Sequence, residues 1–75
     1  MNNFPSQSEL SFLRNSYPVG TVIVLDRMDD PYAPVESGTR GKVDFIDDAG
    51  QIHMKWENGR SLALVPGVDE FHKEN

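Results

Sequence analysis

The chain has no cysteine, so neither a disulfide nor a thiolate-bound metal can supplement its core. A reducing compartment suits that composition, and a cytoplasmic protein is the expectation. Basic residues are also scarce, seven against twelve acidic ones, for a formal charge of −5. Such a field repels phosphate backbones, counts against a nucleic-acid partner, and suits a partner with a basic surface. No apolar run approaches the length of a membrane span, and Met1-Asn2-Asn3-Phe4-Pro5 lacks the basic start and apolar stretch of a leader. No membrane contact is expected. Histidine occurs twice, at His53 and His72. Neither lies in a nucleophile elbow or at a metal-ligand spacing, so catalysis, catalytic residues, bound metal and cofactors are not expected. What remains is one domain of 75 residues, a size that buries only about 60% of the surface its unfolded chain exposes. Homo-oligomerisation is one way to offset that shortfall.

Ser6-Gln7-Ser8-Glu9 has the spacing of a capping box. Leu10, Leu13 and Tyr17 then recur on one side of a helix, flanked by Phe12, until Pro18 and Gly20 end it. This predicts one short N-terminal helix within 6–17, which must dock on something to persist. Thr21-Val22-Ile23-Val24-Leu25 is a strand apolar on both faces, one toward an interior and the other able to receive the helix.

Residues 40–46 and 51–57 alternate apolar and polar. Pairing Phe45 with Ile52 and Val43 with Met54 keeps Val43, Phe45, Ile52, Met54 and Trp56 on one inner face. A slip of one residue would set Phe45 opposite His53. Asn58-Gly59 predicts a two-residue hairpin turn. That turn places Trp56, Met54 and Ile52 opposite Ser61, Ala63 and Val65, and sends Leu62 and Leu64 outward beneath the helix. Val68 to Phe71 makes a last short strand or a 3₁₀ turn. The fold class expected is mainly β, a small SH3-like five-stranded barrel with one short N-terminal α-helix. It forms a single SH3-like domain over 1–75, with the barrel at 20–71 and a polar tail at 72–75. A five-stranded oligonucleotide-binding barrel is the runner-up, for which the chain is short.

The long loop Asp29-Asp30-Pro31-Tyr32-Ala33-Pro34-Val35-Glu36-Ser37-Gly38 holds the strongest binding candidates. Tyr32, Pro31, Pro34 and Trp56 are the aromatic and proline types such barrels use to hold peptides or flat ligands, although Trp56 reads better as core. Tyr32 offers a large contact with few rotamers to freeze, and Asp29 and Asp30 can pair with cations on a partner. Tyr32 could equally fold back over the barrel end. Asp47 and Asp48 read as turn formers that accept backbone hydrogen bonds rather than as a calcium site. Gly38-Thr39-Arg40-Gly41-Lys42-Val43 lacks the Gly-Lys-Ser/Thr ending of a phosphate loop, and a strand follows where a helix should. It reads as a loop entering a strand, with Gly41 relieving crowding near Trp56. It also resembles the Gly-x-x-Gly-x-Val start of KOW-type barrels, which touch ribosomal RNA and transcription machinery.

Nearly the whole chain resembles domain of unknown function family 4314, small proteins from phages, conjugative elements and related bacterial genomes. The blocks that carry the resemblance are Phe4-Pro5, Tyr17-Pro18-x-Gly20-Thr21 and Met28-Asp29-Asp30-Pro31-Tyr32-Ala33-Pro34. They continue with Gly38-Thr39-x-Gly41, Asp47-Asp48-Ala49-Gly50-Gln51-Ile52-His53, Lys55-Trp56-x-Asn58-Gly59 and Ser61-Leu62-Ala63-Leu64-x-Pro66-Gly67. The resemblance implies a mobile-element setting in a bacterial host and carries no activity with it.

Three functions are therefore weighed. The leading one is a non-catalytic module that binds or inhibits a host or phage protein through the 28–35 loop, counter-defence included. A nucleotide binder at an oligomer interface would use Arg27, Arg40, Lys42 and Arg60 on phosphates. A KOW-like nucleic-acid contact would use Arg40, Lys42, Lys55 and Arg60.

Overall fold

The computed structural model describes residues 5–28, 32 and 35–74. Helix α1 (Gln7–Ser16) begins with the anticipated capping box: Ser6 Oγ accepts from the Glu9 N–H and Glu9 Oε1 from the Ser6 N–H. The Ser6 backbone N–H, which donates to the Glu9 carboxylate, is the main cause that holds the carboxyl below its ordinary range. Among the described residues no helix is long and apolar enough to cross a membrane.

Strands β1 (Val22–Arg27), β2 (Arg40–Ile46), β3 (Ile52–Trp56) and β4 (Glu70–Lys73) form one antiparallel sheet in the order β3-β2-β1-β4. Mainly β with one helix, as anticipated, the sheet is four-stranded and open rather than a closed barrel of five strands. Its inner face carries Ile23 and Leu25 from β1, Val43 and Ile46 from β2, and Ile52, Met54 and Trp56 from β3, all buried. His72 and Lys73, expected in a polar tail, belong to β4, where His72 pairs with Val24. The helix does not cover the outer side of β1, where Val22 and Val24 stay half-buried. Instead Leu13 and Tyr17 pack against the core. Arg14 Nη2 donates to the Ile46 carbonyl at 3.1 Å, and Tyr17 meets the Phe71 ring edge-on at 5.8 Å.

Two register corrections reshape the core. Val43 does face Met54, but the ladder then shifts, pairing Phe45 with His53 and Ile46 with Ile52. Phe45 thus lies half-exposed on the face opposite Trp56, stacked on the His53 ring at 4.2 Å, and Ile46 takes the interior place expected for Phe45. The cause lies at the two ends of the hairpin. At its tip, Asp47 bonds Gln51 across a three-residue loop, with Gly50 at φ 81°. At its base Gly41 faces Trp56, in a register one residue different. The extra residue, Asp44, is left over as a bulge.

The second correction follows from the next turn. The Gly59 N–H donates to Trp56 O, the Trp56 N–H donates to Arg60 O, and Gly59 has φ 86°. This is a three-residue loop, a tight turn followed by a left-handed glycine, not the two-residue turn that Asn58-Gly59 suggests. One more residue in the loop moves Leu64, not Val65, opposite Ile52. Leu64 is consequently fully buried and Leu62 packs against the core, where both were expected outside. The anticipated role of Gly41 holds: a Cβ there would lie 2.6 Å from Trp56 Cε3.

Candidate functional site

The connection from β1 to β2 is fastened at both ends. Its base is closed by bonds from the Gly38 N–H to Leu25 O (2.7 Å) and from the Leu25 N–H to Thr39 O (2.9 Å). Met28 packs against the core on one side and Val35 is buried in it on the other. Between these anchors Tyr32 is 89% exposed, the most exposed large hydrophobic residue among those described. It does not fold back over the core. Asp29, Asp30 and Pro31, the other loop candidates, lie outside the described residues.

Three of the cationic candidates share the outer face of the sheet. Lys42 is directly opposite Lys55 and Arg40 directly opposite Val24. Like charges directly opposite are destabilising. The surroundings offset them: Arg40 Nε binds Glu74 Oε2, Lys55 Nζ is 3.9 Å from Asp44 Oδ1, and Glu57 borders the same shallow groove. Arg60 is not part of this group; it lines a different groove, with His53 and Ser61. Arg27 pairs with Glu70 at 3.4 Å. The phosphate partners expected for a nucleotide therefore do not converge on one point.

Both histidines have carboxylate partners that spacing alone did not reveal. The ladder shift at Asp26 brings its carboxylate to 2.9 Å from His72 Nδ1. Asp47 Oδ2 lies 2.8 Å from His53 Nε2, while Asp47 Oδ1 accepts from the Ala49 and Gln51 N–H groups. Burial would raise the Asp47 carboxyl, but the His53 and backbone bonds outweigh it and hold the group below the usual carboxylate range. The signal was available in the register: with Asp47 opposite Gln51, His53 is its diagonal neighbour on the same face. Asp48, by contrast, reaches Arg14, at 3.2 Å.

A carboxylate–imidazole pair can orient a ring for proton transfer, yet among the described residues no hydroxyl is hydrogen-bonded to His53, and no three side chains are grouped to hold a metal. The arrangement reads as a turn lock. Asp47→Ala is expected to cost about 1–3 kcal/mol at neutral pH, because charged acceptors leave their donors unpaired. Since the folded-state carboxyl is depressed, its contribution is complete above the unfolded pKa and is lost as pH falls through the folded one. The melting-temperature gap between wild type and Asp47→Asn should accordingly narrow in acid. A gap that widens there would contradict the assignment.

The model of a family described as a domain of unknown function (DUF4314) matches residues 6–74. No curated protein and no solved structure matches the chain.

Proposed function

We propose that this chain, which belongs to the family described as a domain of unknown function (DUF4314), is a non-catalytic binding module that holds a partner protein through the 28–35 loop. The observation that carries the reading is Tyr32, 89% exposed between the core-anchored Met28 and Val35. Aromatic side chains presented on fixed supports are the usual anchors of protein interfaces. A cationic partner surface suits the chain's charge of −5. The likeness of its motifs to small phage and conjugative-element proteins supports a host protein as partner, a bacterial cytoplasm as the setting, and inhibition of host defence as a role. An SH3-like barrel is the finer reading of the fold. Its support is the 60–64 segment alongside β3, bonded through Arg60 and Leu64, together with the return of β4 to β1.

Affinity capture from bacterial extract, run in parallel with wild type and Tyr32→Ala, tests this reading. One protein should be retained by wild type and lost with Tyr32→Ala, at a melting temperature unchanged between the two. Equal capture by both would end the assignment to this loop.

A second reading, contact with a phosphate backbone, draws on Arg40, Lys42 and Lys55 sharing the outer sheet face. It requires retention on RNA or DNA that weakens steeply with salt and is abolished by Lys42→Glu. Acidic neighbours beside Arg40 and Lys55 make it the weaker of the two.

A further inference from the structure

Residues 70–74 are joined to the fold differently from the other strands. Strands β1, β2 and β3 each place at least two side chains in the buried core. Strand β4 places none there: Glu70, His72 and Lys73 are exposed, and Phe71 is half-buried. What its side chains meet is charge. Glu70 pairs with Arg27 of β1 at 3.4 Å. His72 Nδ1 lies 2.9 Å from both oxygens of Asp26, and because an ionised carboxylate only accepts, the imidazole donates. Lys73 Nζ stands 5.1 Å from the centre of the Tyr17 ring, over its face. Glu74 binds Arg40 of β2.

Exposed pairs of this kind each contribute little and are screened by salt. A segment with few buried apolar contacts also opens at a lower free energy than the core it rests on. The opening has a firm limit on the N-terminal side. There the Val68 and Asp69 N–H groups donate to the Val65 carbonyl, and the buried Asp69 carboxylate accepts from the Val65 N–H. Beyond Asp69 every described charged residue has its partner outside β4, so screening acts on all of them in one direction.

We infer that residues 70–74 form an electrostatic strap. Hinged at Asp69, they separate from β1 as one unit when salt screens Arg27–Glu70 and Arg40–Glu74, and β1, β2 and β3 stay paired. Opening frees the Tyr17 ring from Phe71 and Lys73 together. Tyr32 takes no part, so the strap stands or falls separately from partner binding through the 28–35 loop.

Native-state hydrogen exchange of the full chain, followed by NMR at about 0.05 and 0.5 M sodium chloride, tests this. Protection of the β4 amides should fall about threefold or more at the higher salt, the effect of screening two exposed pairs. The Ile52 and Leu64 amides, each donated to the other's carbonyl, should keep theirs. Glu70→Arg sets like charges together and should lower β4 protection about tenfold; Arg27→Glu added to it should restore most of the loss. Both altered side chains are exposed, so the fold tolerates the exchange. Unprotected β4 amides at low salt, protection indifferent to salt, β4 exchanging only in step with Ile52 and Leu64, or a charge swap that restores nothing would each overturn the inference.

Discussion

Leu64→Ala should destabilise the protein by about 2–5 kcal/mol, while Phe45→Ala should cost about 1 kcal/mol, although Phe45 is the larger side chain. Leu64 is fully buried against Ile52, so its truncation leaves a cavity in a core with few residues to spare. Phe45 is half-exposed and loses chiefly its stack on His53. In a domain of this size each kcal/mol moves the melting temperature by roughly 4–8 °C. The first variant should therefore melt at least about 8 °C lower, and the second only a few degrees lower. Equilibrium urea unfolding of the two variants measures both differences. Comparable losses, or a reversal in their order, would mean that the ladders of β2 and β3 are registered otherwise.

Gly41→Ala is the second large effect, from adding a single methyl group. Its Cβ would lie 2.6 Å from Trp56 Cε3 and 3.1 Å from the Lys55 carbonyl oxygen, one an aromatic core atom and the other backbone. The indole cannot slide aside freely, because its Nε1–H donates to the Leu62 carbonyl at 2.8 Å. Overpacking of this kind costs about 1–3 kcal/mol or more. The variant should thus melt roughly 5–20 °C below wild type. Gly41 is not among the glycines with positive φ, so the loss would report crowding alone. Pairing it with Trp56→Phe in a double-mutant cycle checks this: the smaller ring should recover part of the deficit, and strictly additive losses would argue against the clash.

Gly41 marks what was legible in the sequence, and Phe45 and Leu64 mark what was not. Gly41 beside Trp56, the Ser6–Glu9 cap, strands β1 to β3 and the outward His53 follow from local pattern, and local pattern is what a sequence displays. Phe45 and Leu64 were misplaced by one residue each. Alternation of apolar residues specifies which residues share a face of an undistorted strand, but it is blind to a bulge. It is equally blind to whether a turn around Asn58-Gly59 contains two residues or three. Backbone hydrogen bonding at Asp47–Gln51 and Trp56–Arg60 decides both. Of the candidate site, the exposure of Tyr32 was one of two readings weighed, and the structure favours the outward one. The Asp47–His53 contact depended on the register and was missed with it. Of the four cations grouped from the sequence, Arg40, Lys42 and Lys55 share the outer sheet face while Arg60 lines a different groove, and Glu74, which pairs with Arg40, is distant from it in the chain.

Pairing β1 with β4 joins residues more than forty positions apart, Ile23 with Lys73 and Leu25 with Phe71. Closing so long a span has an entropic cost that must be met before the contact returns anything, so this edge forms late in folding. Until then the most apolar strand of the protein has one flank bare. Cleavage between Asp69 and Glu70 would make that transient state permanent, leaving a proteolytic product prone to strand-to-strand aggregation even with the hairpin of β2 and β3 intact.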